Sequence, residues 1–356
     1  MSTLFEPYRL RGITFPNRIW LAPMCQYSSI DGLPNDWHLV HLGARVTGGF
    51  GLVLTEAAAV VPEGRISPQD AGIWNDEQAD AWKRITDFAH EHGTPIGIQL
   101  AHAGRKASTY RPWDARTGSV PISDGGWQTL APSSVPFDGF KEPAAMSPAE
   151  IADTIQAFVD AAQRADAAGF DVVELHAAHG YLLHQFLSPL SNERNDEYGG
   201  DFEGRIRLVV ETASAVRAAW PDHKPLLVRI SGTDWHEGGW TIEESTELGR
   251  RLKTVGVDLV DVSSGGNVKA SIPVGPGYQV PLSAAVHDAI PTGAVGLITE
   301  PRQAEKVLDN GEADVVLLAR AALREPAWPL RAAHDLGIAS ADAGWPRQYE
   351  RGAWRD

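Results

Sequence analysis

Residues 147–176 read SPAEIADTIQAFVDAAQRADAAGFDVVELH and contain a helical pattern followed by a short apolar run. Ser147 is a good N-cap residue, Pro148 suits the first helical position, and a glutamate stands three residues after the cap. Gly169 ends the alanine-rich pattern that follows. The near-continuous apolar run over 171–176 is typical of a parallel strand that is covered on both faces. The stretch therefore predicts one helix–strand unit of a parallel α/β protein.

Short apolar runs of the same kind recur along the chain and alternate with helical patterns, such as those over 241–255 and from 300 onward. They span residues 18–24, 51–57, 95–100, 171–176, 226–231, 258–263, 294–299 and 314–320. Strands that alternate with helices form βα units with a parallel sheet. Eight such units predict a closed (β/α)8 TIM barrel.

The barrel pattern also decides the domain organisation. At roughly 150 residues per domain, a chain of 356 residues would favour about two domains, but the repeated units favour one domain over 1–340. Residues 103–146 carry no sustained periodicity, and a loop of this length is usually functional or disordered. We expect a lid or subdomain here, with an inert surface excursion as the alternative. Residues 341–356 form a C-terminal extension that is too rich in aromatic residues for an ordinary frayed tail.

The composition excludes several classes of partner. Lys and Arg number 31 against 46 Asp and Glu, a formal net charge of −15, so we expect no binding to nucleic acid or to an anionic membrane. No apolar run approaches the roughly 18 residues of a membrane span, and the first seven residues lack signal-peptide features. We therefore expect a cytoplasmic protein. The single cysteine, Cys25, excludes an intrachain disulfide, a Cys-rich zinc site and a cysteine-held iron–sulfur cluster.

Polar residues accumulate at the ends of the predicted strands, where the active sites of TIM barrels lie. The second run ends at Ala57, whose small side chain permits close approach of a flat molecule. The first, third, fourth, fifth and eighth runs contain or lead to Met24-Cys25-Gln26-Tyr27, Gln99, His102, His176, Arg229 and Arg320.

The segment His176-Ala177-Ala178-His179-Gly180-Tyr181 follows the fourth predicted strand. If the chain turns helically after His176, the two histidines lie one turn apart and can direct both imidazoles at one carbonyl or phenolate oxygen. Tyr181 is then a nearby proton donor. A metal-binding pair is a competing interpretation, but the helical metalloprotease motif needs a glutamate and a spacing of four, so we predict no metal site. A pair of structural histidines is the third interpretation.

Gln99 and Arg229 suit the pyrimidine ring of a flavin, because the amide matches a cyclic imide edge and the guanidinium stabilises an anionic heterocycle. Either residue alone could equally belong to a polar network inside the barrel. Phosphate sites in such barrels commonly form after strands seven and eight, where Gly296, Ala319 and Arg320 provide backbone amides and a guanidinium. No Gly-x-Gly-x-x-Gly fingerprint follows a strand, so a Rossmann cofactor domain is not indicated.

Cys25 follows Pro23 and Met24 at the end of the first predicted strand. A buried inert cysteine is the commoner case. Beside a flavin, the thiol could instead hydrogen-bond the edge of the ring and adjust its reduction potential. A covalent nucleophile would need a paired base, and the sequence alone shows none.

Several longer motifs cover nearly the whole chain. They are Leu4-Phe5-Glu6-Pro7, Pro16-Asn17-Arg18, Ala22-Pro23-Met24-Cys25-Gln26-Tyr27, Glu63-Gly64-Arg65, Gly97-Ile98-Gln99-Leu100-Ala101-His102-Ala103-Gly104-Arg105-Lys106, Glu174-Leu175-His176-Ala177-Ala178-His179-Gly180-Tyr181, Ser188-Pro189-Leu190-Ser191-Asn192 and Tyr198-Gly199-Gly200. Together they resemble the Old Yellow Enzyme family of FMN-dependent ene-reductases. A cysteine at position 25, where the other main subclass usually has threonine, selects the thermophilic-like bacterial subclass that includes the xenobiotic reductases.

The resemblance implies a single FMN-binding barrel that reduces C=C bonds of α,β-unsaturated carbonyl or nitro compounds. Hydride passes from NADPH or NADH to flavin N5 and then to the β-carbon of the substrate. His176 and His179 would bind the electron-withdrawing oxygen, Tyr181 would protonate the α-carbon, and Tyr27 would line the pocket. The implied FMN contacts are Ala22, Pro23, Met24, Cys25, Ala57, Gln99, Arg229, Ala319 and Arg320, with Gly296 added by its position after the seventh strand.

The resemblance also implies a homodimer or dimer-based homotetramer. In this subclass the C-terminal tail reaches the active site of a neighbouring subunit, and Gln348-Tyr349-Glu350-Arg351-Gly352 matches the segment with its arginine finger. Because the tail departs from the family pattern after Gly352, either Arg351 or Trp354 is the candidate intruding group. Ala319 stands where a glycine is common, which leaves a backbone amide for the phosphate. Two other functions stay open: a metal-dependent hydrolase built on His176 and His179, and a non-catalytic flavin-binding protein.

Overall fold

The computed structural model describes residues 2–354 and contains a closed barrel of eight parallel strands, in the order β3-β4-β5-β8-β9-β10-β11-β12. All strands in chain order are β1 (Tyr8–Leu10), β2 (Ile13–Phe15), β3 (Ile19–Leu21), β4 (Leu52–Ala59), β5 (Ile96–Ala101), β6 (Leu130–Ala131), β7 (Ala144–Ala145), β8 (Val172–Ala177), β9 (Leu226–Ser231), β10 (Leu259–Ser263), β11 (Thr292–Ala294) and β12 (Val315–Leu318). The predicted (β/α)8 barrel is confirmed.

Helices alternate with the barrel strands and cover the outside of the barrel. They are α1 (Asp36–Val46), α2 (Asp76–Glu91), α3 (Pro148–Ala167), α4 (Leu182–Leu187), α5 (Phe202–Ala219), α6 (Ile242–Thr254), α7 (Val280–His287), α8 (Pro301–Asp309), α9 (Arg320–Arg324) and α10 (Trp328–Asp335). Ser147 caps α3 by accepting the N–H of Glu150, whose carboxylate accepts the N–H of Ser147 in return. Thr241 and Glu244 form the same reciprocal cap on α6, so both predicted helix starts are confirmed.

Side chains alternate along each barrel strand between an outer core, which lies between the strands and the helices, and the interior of the barrel. The polar residues of the site point into the interior. On β8, Val173 and Leu175 pack in the outer core between barrel and helices, whereas Val172 packs in the inner cluster. Because successive side chains of a strand point to opposite faces, Glu174 and His176 share the inner face with Val172. The inner face is thus apolar at the N-terminal end of the strand and polar towards its C-terminal end.

The N-terminal hairpin β1–β2 was not predicted from the sequence. Leu10 and Phe15 of the hairpin belong to the same buried cluster as Trp20 and Leu54 inside the barrel. The hairpin therefore extends the apolar core of the barrel interior, and the polar residues are left at the opposite, C-terminal end of the strands.

The prediction for the seventh barrel strand was wrong in position. The strand lies at Thr292–Ala294 rather than at 294–299. Gly296 has a φ of 121° and Leu297 a φ of 54°, values that a strand does not adopt. Val295 and Ile298 are nevertheless buried, which is why this turn has the apolar pattern of a strand.

Residues 103–146 are mostly irregular, as the sequence indicates. They contain short 3-10 turns at Gly104–Lys106 and Ile122–Asp124 and the small parallel pair β6–β7. Beyond α10, two further 3-10 turns lie at Ser340–Asp342 and Arg347–Gly352. Within residues 2–354, no helix is both long enough and apolar enough to span a bilayer.

Candidate active site

Four buried polar side chains inside the barrel, arranged as two pairs, form the bottom of the site. Nε2 of Gln99 donates to Oε1 of Glu174 at 2.7 Å, and Nε of Arg229 lies 2.9 Å from Oδ2 of Asp261. Burial raises the pKa of both carboxyl groups, and the Arg229 charge opposes the rise. Through these two contacts, Glu174 orients Gln99 and Asp261 orients Arg229, the two residues predicted to contact a flavin. Glu174 and Asp261 were not predicted as site residues, although both interrupt apolar strands.

His176 and His179 lie on the side of Glu174 that is nearer the C-terminal end of β8. Their ring centroids are 5.2 Å apart, and Nε2 of His179 lies 2.7 Å from Oγ of Ser263. Burial lowers the pKa of both imidazoles well below the usual value, and the charge of Arg229 lowers it further. Both rings are therefore neutral at pH 7.

The two histidines meet in a different way from the helical turn proposed from the sequence. His176 is on β8, which continues to Ala177, and His179 has a φ of 59° in a left-handed turn, while α4 begins only at Leu182. The left-handed backbone at His179 brings its ring back towards that of His176. Among residues 2–354, no three His, Cys, Asp or Glu side chains are grouped so that they could hold a metal ion.

Lys106 fastens this turn to the neighbouring loop and was missed by sequence reasoning. Its Nζ donates to the backbone oxygen of His179 at 2.7 Å and to that of Gly266 at 2.9 Å. The same ammonium lies 5.0 Å from the centre of the Tyr181 ring. Burial lowers the pKa of Lys106 to about 8. The lysine thus joins the loops that follow β5, β8 and β10.

Tyr181 lies beside His176, with ring centroids 5.0 Å apart at 70°. Tyr181, Tyr27 and Cys25 pack on one small apolar cluster around Ala103. Burial raises the pKa of Tyr181, and the neighbouring Cys25 and Tyr27 add to the rise. Tyr181 therefore keeps its proton in the resting site and has one to give.

Cys25 is held as a thiol. Burial raises its pKa well above the usual value, and the carboxylates of Asp70 and Glu56 raise it further. Because only a thiolate is a strong nucleophile, this environment argues against covalent catalysis by Cys25.

The long loop contributes a tryptophan to the rim of the site. The ring of Trp113 meets that of Tyr27 edge-on, with centroids 5.7 Å apart, and Arg111 lies 5.4 Å from the Trp113 ring centre. Trp113 is exposed. This contact places Trp113 of the long loop beside Tyr27, and the lid over 103–146 stays a prediction.

A cavity of about 150 Å³ lies at the C-terminal ends of β11 and β12 and is lined by Gly296, Leu297, Ala319 and Arg320 among others. No carboxylate in the described part of the chain pairs with Arg320. At the other end of the site, Nδ1 of His176 is buried without a protein partner. A ligand with hydrogen-bonding ring edges at one end and an anionic group at the other fits this distribution of unpaired groups, as FMN would.

The C-terminal tail lies at the opposite end of its own barrel. A cavity of about 510 Å³ there is lined by Trp345 and by Asn17, Phe50 and Thr94, which precede β3, β4 and β5. Arg351 is exposed. The ring of Trp354 stacks on His334 of the same chain at 4.8 Å. Neither candidate tail residue is brought to the site of its own subunit.

Comparison with known proteins gives matches over nearly the full length. The model of the NADH:flavin oxidoreductase / NADH oxidase family matches residues 3–338. An NADPH dehydrogenase of Geobacillus thermodenitrificans (strain NG80-2) is 49% identical over 359 residues, and one of Geobacillus sp. (strain WCH70) is 48% identical, each with 99% of both chains covered. The structure of morphinone reductase in complex with tetrahydroNAD has a TM-score of 0.79 and 26% identity, and covers 97% of this chain and 96% of that chain.

Proposed function

The chain belongs to the NADH:flavin oxidoreductase / NADH oxidase family and is an FMN-dependent oxidoreductase with a nicotinamide donor, and from this premise we propose that it reduces alkenes conjugated to a carbonyl or nitro group. The observation that carries the proposal is the grouping of His176, His179 and Tyr181. The ring centroid of His176 lies 5.2 Å from that of His179 and 5.0 Å from that of Tyr181. Two neutral hydrogen-bond donors and one proton donor in a single pocket are what this reduction needs.

The chemistry that FMN would supply is the transfer of a hydride from the nicotinamide to the β-carbon of the alkene. Gln99 and Arg229 would hold the edge of its ring, and Gly296, Ala319 and Arg320 its phosphate. The ring would lie against the residues that follow β3 and against one residue of β4, namely Ala22, Pro23, Met24, Cys25 and Ala57.

His176 and His179 bind the carbonyl or nitro oxygen of the substrate. Because burial lowers the pKa of both imidazoles, they bind as neutral donors, and their hydrogen bonds strengthen as negative charge develops on that oxygen. Ser263, at 2.7 Å from Nε2 of His179, orients the second ring.

Tyr181 gives its proton to the α-carbon. Its raised pKa keeps it protonated until the substrate carbanion, a stronger base, is present. The Lys106 ammonium, 5.0 Å from the ring centre, stabilises the tyrosinate that remains. Tyr27 would line the pocket, and the Cys25 thiol would lie at the flavin edge, where it could adjust the reduction potential.

A second copy of the chain completes the pocket in this proposal. Residues 342–348 of the tail lie at the N-terminal end of their own barrel, which supports a role for Arg351 or Trp354 in the site of a neighbouring copy. The expected assembly is a homodimer or a dimer-based homotetramer.

An anaerobic spectral titration tests the function. Purified protein should be yellow, lose its flavin absorbance with NADPH and regain it when cyclohexenone is added, with cyclohexanone as the product. Colourless protein that carries stoichiometric zinc, or flavin that NADPH reduces but no enone or nitroalkene reoxidises, would contradict the proposal.

A further inference from the structure

A fully buried histidine–carboxylate pair, His184 and Asp234, lies behind the turn that carries His179 and Tyr181. Nε2 of His184 is 3.1 Å from Oδ1 of Asp234, and neither side chain is exposed. Nδ1 of His184 accepts the backbone N–H of Gly180 at 2.9 Å. The imidazole thus connects a buried carboxylate on one side to the backbone of the turn on the other.

The carboxylate of Asp234 is itself fixed. Oδ2 accepts from Oγ of Ser188 at 2.5 Å and from the backbone N–H of Trp240 at 2.9 Å. Burial would raise the pKa of Asp234, but His184, Ser188 and the Trp240 N–H together lower it to about 2. Asp234 is therefore an anion that accepts hydrogen bonds.

These contacts select one tautomer of His184. The Gly180 N–H occupies Nδ1, so Nδ1 is unprotonated and the ring proton is on Nε2, facing Asp234. A carboxylate that fixes the tautomer of a functional imidazole is a general device of protein sites. In this tautomer, Nδ1 of His184 accepts the hydrogen bond of the Gly180 backbone N–H.

The turn needs such a hold, because its backbone conformation is uncommon. His179 and Gly180 have φ values of 59° and 71°, and a left-handed histidine persists only where its surroundings determine it. A Cβ on Gly180 would lie 2.2 Å from the oxygen of Gly266, so the turn is also packed tightly against the next loop. An unpaired Gly180 N–H in this buried place would be costly.

We propose that His184, oriented by Asp234, is a positioning residue for the reaction: it holds the Gly180 amide and so directs the His179 imidazole at the substrate oxygen and the Tyr181 hydroxyl at the α-carbon. His184 itself touches neither substrate nor cofactor. The proposal rests on the function proposed above, since it concerns the geometry of the same site.

Two conservative variants separate the two contacts of His184. In His184→Asn, the amide oxygen can take the place of Nδ1 and accept from Gly180, but the side chain does not reach Asp234. In His184→Gln, the amide takes the place of Nε2 and keeps Asp234, while the Gly180 N–H loses its acceptor. Both variants are polar and smaller than or similar to histidine, so they form a matched pair.

The readout is the dissociation constant of p-hydroxybenzaldehyde for the oxidised holoenzyme, followed by the charge-transfer absorbance of the complex, together with FMN content and melting temperature. We expect H184Q to bind the phenol about tenfold more weakly, the loss expected for one buried hydrogen bond, with full FMN content, and H184N to stay within about threefold of the parent protein. KM for cyclohexenone should rise in parallel in H184Q.

Unchanged phenol affinity in H184Q would overturn the proposal. The proposal would also fail if H184Q and H184N lost phenol affinity equally and in proportion to their melting temperatures, because that result indicates only a structural role for His184. If H184Q yields no holoprotein, Asp234→Asn provides the second comparison. Its amide no longer enforces the Nε2–H tautomer, so phenol affinity should fall by about threefold or more, and an unchanged affinity would refute the proposal. Phenol binding and enone reduction by the parent protein test the function separately.

Discussion

Replacing Tyr181 with phenylalanine removes one hydroxyl and leaves the ring that packs beside His176 at 5.0 Å. That hydroxyl makes no hydrogen bond to another residue in the described part of the chain. We therefore expect the free energy of unfolding to change by less than about 0.5 kcal/mol and FMN to remain bound.

The expected loss is confined to the proton-transfer step. A positioned proton donor contributes about 10²–10⁴ in rate, and the neighbouring groups replace it poorly, because burial also raises the pKa of Tyr27 and of Cys25. Reoxidation of the reduced enzyme by cyclohexenone should slow by about 100-fold or more. Reduction by NADPH needs no proton from Tyr181 and should change by less than about threefold.

Stopped-flow absorbance of the flavin measures the two half-reactions separately under anaerobic conditions. Tyr27→Phe is the matched control, since it removes a hydroxyl from the same pocket, and it should alter KM for the enone more than the limiting rate of reoxidation. Equal slowing of both half-reactions in Tyr181→Phe, or no slowing of either, would refute the assignment of Tyr181 as the proton donor.

Three further outcomes are expected. Replacing His176 and His179 together with alanine should weaken phenol binding by about tenfold or more, as expected for two lost hydrogen bonds, while FMN content stays full; an unchanged dissociation constant would be inconsistent with oxygen binding by this pair. Cys25→Ser should shift the flavin midpoint potential in a spectroelectrochemical titration and retain turnover, and complete loss of turnover would instead indicate covalent chemistry. Burial lowers the pKa of His102 from 6.5 to about 4. At pH 5 the unfolded chain therefore binds a proton at this residue that the folded chain does not bind. The folded state is not disfavoured by His102 above about pH 6.5, and its free energy of unfolding falls by about 2 kcal/mol at pH 5 because of this group. Urea titrations should therefore show a smaller loss of stability between pH 7 and 5 in His102→Asn, and identical losses would contradict this.

The fold could be predicted because its signal is local and repeated. The apolar runs reflect strands that are buried on both faces, and the caps at Ser147 and Thr241 begin helices where the sequence indicates. The seventh strand was misplaced because Val295 and Ile298 are buried in a turn, and burial alone does not distinguish a strand from a turn.

The grouping of His176, His179 and Tyr181 follows from barrel topology, which brings strand ends together, and the roles assigned to these residues stay predictions. What the sequence could not supply are contacts between loops that are distant along the chain. Lys106 acts through backbone oxygens of His179 and Gly266, and backbone acceptors leave no pattern in a sequence. Asp234 and His184 are 50 residues apart by number and meet only through the packing of the loop after β9 on α4.

Isotope tracing of the product tests the proposed alkene reduction, because it follows the hydride and the proton to their carbons. The enzyme should reduce a substituted cyclohexenone once with NADPH deuterated at its transferable hydrogen in ordinary water, and once with unlabelled NADPH in deuterium oxide. We expect donor deuterium at the β-carbon, solvent deuterium at the α-carbon, and addition from opposite faces, with the solvent label entering far more slowly in Tyr181→Phe. Donor deuterium that is absent from the β-carbon, or both labels on the same face, would contradict it.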